Sequence, residues 1–327
     1  MRARAEVRGY SLDEIVETVR HYAGVSGKGP IAAIGALIDV SDPIHGPGDD
    51  GAIVEVGDHH VVVCGEALSP PFVEADPYGA GIAAVLANVN DVAAMGGIPL
   101  GIVNTLVGPA EVTAEVMRGM VDASKMYDVP IVGGHLTERP GDTSVSAFAV
   151  GEAPGVLSMA HVAEGQTILF ACFLDGEMRT DFPFFRSIDQ QAHRFANDVR
   201  VLAEVSKAGA AASAKDVSMA GPLGSLAMLL EFKALGADID LELLPVPENT
   251  DFLQWSICFP SYAFWLTCEP NTVEACRTIF HDADLHCEVV GTVTTDSIIR
   301  LSGGGDQLDL LDFRSDSITG LWASDVR

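Results

Sequence analysis

The chain has 327 residues, 48% of them hydrophobic, and its 19 Lys and Arg against 46 Asp and Glu leave a formal net charge of -27. The length suggests two domains and the apolar content suffices for packed cores, which excludes a disordered chain. So acidic a chain is also a poor match to nucleic acid or to an anionic membrane by simple charge attraction.

In chain order, Ser11-Leu12-Asp13-Glu14 reads as a capped helix start, with Ile15, Val16 and Val19 on one face up to Tyr22. A Gly-rich passage from Gly24 to Gly29 follows and contains Lys28. From Gly29 to Met117 there is then no Lys or Arg, while twelve acidic residues occur, so this stretch folds without a basic residue of its own and invites cations. Ala52 to Val56 and His60 to Cys64 read as strands joined at Gly57-Asp58. Gly79 to Met95 is the clearest helix, with Ile82, Val85, Leu86, Val89 and Val92 spaced three and four apart. Leu100 to Val107 reads as a strand, Glu111 to Tyr127 as a second helix, Pro130 to Val132 as a short strand, and Thr143 to Gly151 as an alternating one. The order is a mixed α/β pattern rather than a strictly alternating doubly wound sheet.

Ala153 to Gly165, with Pro154, Gly155 and Gly165, is the expected junction, giving domains at 1–153 and 154–327. Beyond it, strands are expected at Thr167 to Phe173, Tyr262 to Cys268, Cys287 to Val293 and Ser297 to Leu301. Helices are expected at Gln190 to Lys207, Leu223 to Leu235 and Thr272 to His281. The six cysteines form no CxxC pair and read mostly as small core residues. No apolar segment follows the Arg-bearing N-terminus and no run of about 18 apolar residues exists, so neither a secretory leader nor a membrane span is expected. The expected location is cytoplasmic, with reduced thiols.

Gly46-Pro47-Gly48-Asp49-Asp50-Gly51 matches GxGxxG literally, but its glycines precede a strand instead of opening a helix, and its two aspartates would repel a bare phosphate. No Gly-Lys-Ser/Thr follows, so there is no Walker A loop. Taken alone, the triplet reads as an acidic surface turn. Asn90-Asp91 lies inside the apolar helix, where a buried carboxylate needs a partner. Two readings are open for Asp91: a place on the solvated face, or a metal ion as neutraliser. Glu66 and Asp76 add further carboxylates nearby in sequence. Val129 to Val132 leads into Gly133-Gly134-His135-Leu136-Thr137, read as a strand ending in a turn, the kind of position where site residues gather. Lys215-Asp216-Val217-Ser218 leads into a helix and reads as an N-cap.

Gly48-Asp49-Asp50, the block Asn90 to Pro99, Gly133-Gly134, Asp216-Val217-Ser218 and Gly221-Pro222-Leu223-Gly224 occur in one order along the chain. This order resembles the aminoimidazole ribonucleotide (AIR) synthase superfamily, whose members include AIR synthetase, thiamine-monophosphate kinase, selenophosphate synthetase and the hydrogenase-maturation dehydratase. The match is nearest to its AIR-synthase-related proteins of unassigned substrate. The resemblance implies a two-domain α/β (α+β) protein: a mixed-sheet N-terminal domain that binds ATP and Mg2+ and forms a homodimer, and a C-terminal α/β sandwich domain. It implies Asp49, Asp50, Glu66 and Asp91 as metal ligands, and Gly48, Asp49, Asp50, Asn90, Asp91, Gly133, Gly134 and Asp216 around the nucleotide. Lys28, Asp91 and His135 are the implied catalytic positions. Three departures stand out: Glu66 and His135 each replace a usual Asp, and Met219 replaces a usual acid. The expected function is an ATP- and Mg2+-dependent enzyme that phosphorylates or activates an oxygen of a small molecule, a phosphotransferase or cyclo-ligase. The alternative is a catalytically reduced nucleotide-binding subunit of a larger complex.

Overall fold

The computed structural model describes residues 6–322. Residues 1–5, part of the segment on which the expectation of no leader rests, lie outside them. Two compact units form: one from residues 50–156 with 191–207, the other from residues up to 49, 157–190 and 208 onwards. The chain passes between the units after residues 49, 156, 190 and 207. The N-terminal segment joins the second unit because helix Leu12–His21 buries Leu12, Ile15, Val16 and Val19 in the same core as Ile168, Phe170, Leu223, Leu226, Ile299 and Leu301. Its start carries the expected capping box: the Ser11 amide donates to Glu14 Oε2 at 2.9 Å, and the Glu14 amide donates to Ser11 Oγ at 3.4 Å.

Residues 191–207 join the first unit for equally concrete reasons. The Phe195 ring packs at 5.1 Å from that of Tyr127, Arg200 donates to the Tyr127 carbonyl at 3.0 Å, and Ser206 Oγ donates to the Gly96 carbonyl at 3.0 Å. The single helix expected from Gln190 to Lys207 is three short ones, Ile188–Gln191, Phe195–Asp198 and Val201–Lys207.

In the 50–156 unit, a five-stranded sheet runs in the order Ala52–Val56, His59–Ala67, Ser144–Ala153, Ile98–Gly108, Ile131–Glu138. All neighbours are antiparallel except the last pair, which is parallel. The first two strands form the expected hairpin, with Val56 opposite His59. Helices Pro77–Ala94 and Ala110–Tyr127 pack on this sheet and on each other. Their crossing is close: a Cβ at Gly81 would strike the Val116 carbonyl, and one at Gly119 would strike the Tyr78 carbonyl. The strand expected to stop at Val132 instead continues to Glu138. Gly133 and Gly134 are therefore in-line strand residues, aligned with Val103 and Asn104 of the neighbouring strand, and do not form a turn.

The second unit holds a seven-stranded sheet in the order Ser213–Asp216, Ala263–Cys268, Thr167–Cys172, His286–Thr294, Gly236–Asp240, Ile298–Gly303, Asp306–Asp312. Its strands Thr167–Cys172 and Ala263–Cys268 are apolar at nearly every position because both faces are covered. Ile168, Phe170 and Cys172 face the core shared with helices Leu12–His21 and Gly221–Glu231. Leu169 and Ala171 face the other way and are equally buried, as are Cys276 and Phe280 of helix Val273–Asp282. Five of the six cysteines are buried, consistent with core packing.

Candidate functional site

The Gly-Asp-Asp loop is held by features distant in sequence. Gly48 has φ +133, a conformation that L side chains rarely adopt, and a Cβ there would run into the Trp322 ring. Asp49 Oδ2 accepts from Ser158 Oγ at 2.7 Å and from the Met159 amide at 2.9 Å, capping the short turn Met159–His161. Asp49 thus anchors the loop through at least one of its carboxylate oxygens.

Asp50 is the next residue, in the 50–156 unit, and its carboxylate lies within 4.8 Å of that of Asp91. Asp91 is 5% exposed and Asn90 only 1%. The sequence therefore left two readings for Asp91, and burial removes the solvated one. Helix Pro77–Ala94 brings Asp91 there because it is apolar on nearly every side, so its polar residues are buried along with the rest. Two carboxylates this close repel when both are ionised, and a shared proton or a bridging cation relieves that.

Strand His59–Ala67 supplies the neighbouring wall. Val62, Cys64 and Glu66 alternate onto one face, and Cys64 Sγ donates to the Asn88 carbonyl at 3.4 Å. Asn88 Nδ2 in turn donates to the Ala84 carbonyl at 2.8 Å. The Cys64 thiol is held well above its ordinary pKa, first by burial and then by the negative charges of Asp91, Glu66 and Asp50. Glu66 itself is exposed at the rim. Cys64 and Asn88 were missed as site residues; the alternation Val62, Cys64, Glu66 was the available signal.

The other expected residues are distributed as follows. Asp76, counted among the nearby carboxylates, caps helix Pro77–Ala94 by accepting from the Gly79 amide at 2.9 Å. His135 sits in the exposed edge strand, paired with Thr105, with its Nε2 at 3.2 Å from Thr137 Oγ1. Asn104 and Leu106 point to the helix-covered face, so Thr105 and His135 occupy the opposite one. Within this unit, then, His135 and Asp91 lie on opposite sides of the sheet. Gly133 and Gly134 share that edge strand.

In the second unit, Lys28 immediately precedes the single turn Gly29–Ile31 and is half-buried. Asp216 is no N-cap: it ends strand Ser213–Asp216, is buried, and accepts from Lys215 Nζ at 2.7 Å, while Ala220 precedes the helix. Carboxylate oxygens as hard as those of Asp50 and Asp91 are the donor type that Mg2+ prefers, so these residues fit such an ion. Among the described residues, no helix is long and apolar enough to cross a membrane.

Residues 48–153 match the family described as AIR synthase related protein, N-terminal domain, and residues 188–303 match the corresponding C-terminal domain. Among curated relatives, Uncharacterized protein sll0787 of Synechocystis sp. is 29% identical over 276 residues, covering 84% of this chain and 86% of its own. Uncharacterized protein MJ0640 of Methanocaldococcus jannaschii is 28% identical over 324 residues, covering 95% of this chain and 99% of its own. Among solved structures, T. maritima PurL complexed with ADP superposes with a TM-score of 0.78 at 18% identity, over 94% of this chain. This chain spans 52% of that protein's length, and the likeness is one of fold. With both domain descriptions matched in order over a two-domain α/β architecture, the chain belongs to the AIR-synthase-related family of the AIR-synthase (PurM-like) superfamily.

Proposed function

We propose that this protein binds ATP with Mg2+ and uses it to phosphorylate or activate an oxygen of a small-molecule substrate. The observation that carries the reading is the approach of the Asp50 and Asp91 carboxylates to within 4.8 Å, directly after the Gly-Asp-Asp loop. Carboxylates and phosphate oxygens share a site only when divalent cations bridge them. Bound Mg2+ would neutralise the triphosphate and polarise its phosphoryl oxygens. Asp50 and Asp91 hold the ion, Glu66 reaches it from the rim, and Asp49 keeps the loop in place while Gly48 lets the backbone approach. Asn90 and Asp216 are polar contacts for the nucleotide, with Lys215 Nζ bonded to Asp216 at 2.7 Å. Lys28, in its Gly-rich segment, supplies positive charge to the transferring phosphoryl group. T. maritima PurL, solved with ADP, supports the nucleotide as ligand.

We further propose a cytoplasmic homodimer built on the open face of the five-stranded sheet. Val54, Val63, Leu100, Val103 and Phe148 are exposed at 38–49%, an apolar surface of the kind that marks an interaction site. His135, with Gly133 and Gly134, lies in the edge strand of that sheet. The second reading, a nucleotide-binding subunit with reduced catalysis, is favoured by one observation: His135, at the position where the resemblance expects an acid, is across the sheet from Asp91.

Calorimetry with a non-hydrolysable ATP analogue, with and without Mg2+, tests both. Tight binding that needs Mg2+ is expected. No binding under either condition contradicts both readings, and binding without turnover over a metabolite panel selects the second.

A further inference from the structure

The Gly48-Asp49-Asp50 loop gets its shape from the far end of the chain. Glu231, the last residue of helix Gly221–Glu231, is 7% exposed, and its carboxylate gathers the turn at residues 318–320. Oε1 accepts from the amides of Ile318 at 2.8 Å, Thr319 at 3.1 Å and Gly320 at 3.2 Å. Oε2 accepts from the Thr319 amide at 3.1 Å and from Thr319 Oγ1 at 2.7 Å. Hydrogen bonds to an ionised acceptor are the strong ones, and here one buried carboxylate fixes three consecutive residues.

From that clamp, Leu321 and Trp322 reach the N-terminal segment. The Leu321 carbonyl lies so close to Gly35 that a Cβ there would stand 2.6 Å from it. Trp322 Nε1 donates to the Val40 carbonyl at 2.8 Å, and the indole, packed edge-on to Phe232 at 5.3 Å, closes over Gly48. Asp49 follows and is tied to Ser158 and Met159.

We propose that Glu231 and Trp322 are positioning residues for the Gly-Asp-Asp loop, so that the metal-dependent part of nucleotide binding depends on a brace formed by the C-terminal segment. This rests on the nucleotide-and-Mg2+ reading above. The brace acts through Gly48 and Asp49: the ring holds Gly48 in its positive-φ conformation, and the chain leads from there into Asp50. Neither residue touches nucleotide or metal in this account.

The test uses the full-length chain and three variants, Trp322→Ala, Trp322→Phe and Glu231→Gln. Glutamine keeps the size of Glu231 but exchanges one of its two acceptor oxygens for a donor. Hydrogen–deuterium exchange over residues 40–49 is measured without ligand, and affinity for the Mg2+-bound and Mg2+-free non-hydrolysable ATP analogue is measured by calorimetry. In Trp322→Ala and Glu231→Gln, exchange over 40–49 should accelerate by about tenfold while strand Thr167–Cys172 keeps its protection. Affinity with Mg2+ should fall by about fivefold, while affinity without it changes by less than about twofold. Trp322→Phe, which keeps a ring over Gly48 but lacks the indole N–H, should fall between wild type and Trp322→Ala.

A merely structural role would lower affinity equally with and without Mg2+, and that result overturns the proposal, as does unchanged exchange over 40–49. If the wild-type chain binds no nucleotide, the functional reading fails and the exchange data alone decide the brace. If Trp322→Ala does not fold, Trp322→Phe and Glu231→Gln carry the comparison.

Discussion

The two sheets of this protein differ in what covers them. The seven-stranded sheet has helices on both faces, and its central strands, Thr167–Cys172 and Ala263–Cys268, are apolar at nearly every position. Among the described residues of its unit, the five-stranded sheet has its two long helices on one face, and its strand Ser144–Ala153 alternates buried and accessible residues. Charge follows the same division. In the seven-stranded sheet Arg300 gathers Asp238, Asp296 and Asp309, and its guanidinium pKa is raised above its already high value by hydrogen bonds to Asp296 and Asp238. In the 50–156 unit, Asp91 lies in a stretch of sequence that contains no Lys or Arg, and its carboxylate lies within 4.8 Å of that of Asp50. The sheet enclosed on both faces is core throughout, whereas the open face and the Asp50–Asp91 approach are where the proposed dimer and the proposed ion are placed.

The sharpest test of that contrast sets a paired buried acid against the unusual pair. Asp198 is buried and bound by Arg194 at 2.6 Å. Asp198→Asn should cost about 2–3 kcal/mol in denaturant unfolding, because it weakens the bond between a buried acid and the partly exposed Arg194 guanidinium. Nucleotide affinity of the folded fraction should be unchanged. Asp91→Asn should do the reverse: a smaller loss of stability and a loss of Mg2+-dependent nucleotide binding of about 2–3 kcal/mol. If Asp91→Asn destabilises the fold as much as Asp198→Asn does, the two acids are alike and the contrast fails.

Next in size comes the helix crossing that holds Asp91 over the sheet. Gly81→Val should destabilise by about 2–3 kcal/mol through contact with the Val116 carbonyl, read as a lower unfolding midpoint. The open face is probed by Phe148→Glu. If the proposed dimer forms through this face, sedimentation should show wild type as dimer and Phe148→Glu as monomer, with the circular dichroism spectrum preserved. An unchanged dimer would move the interface elsewhere.

The smallest effect is expected at the first helix. Hydrogen bonds from the Ser11 amide and hydroxyl hold the Glu14 carboxyl below the ordinary carboxylate range. A lowered folded-state pKa means that stabilisation is present above the unfolded value and is lost as pH falls through the folded one. Glu14→Gln should therefore lower the melting temperature slightly at neutral pH and not at all in acid.

Legibility in the sequence followed the range of the interaction. The capping box, the hairpin 52–67 and the two long helices rest on spacings of a few residues, and all were readable. The edge strand was not fully so, because Gly133-Gly134 looks like a turn until the parallel neighbour carrying Val103 and Asn104 is in place. Strands Gly236–Asp240 and Asp306–Asp312 were missed, the latter because Asp-Gln-Leu-Asp-Leu-Leu-Asp reads as polar until its partner strand Ile298–Gly303 is beside it. The acids of the Gly-Asp-Asp loop were recognisable as a motif, but their different surroundings were not. What separates Asp49 from Asp50 is Ser158, 109 residues away, together with a helix residue, Asp91. Cys64 looked like core, and it is the strand's alternation with Glu66 that turns it toward the carboxylates.

The central claim is that Asp50 and Asp91 hold a divalent cation that arrives with a nucleotide. Electron paramagnetic resonance of Mn2+, used as a stand-in for Mg2+, tests it directly in wild type and in Asp91→Asn. The account predicts that the wild-type chain immobilises Mn2+ when the ATP analogue is added and that Asp91→Asn does not. Equal immobilisation in both proteins would contradict it.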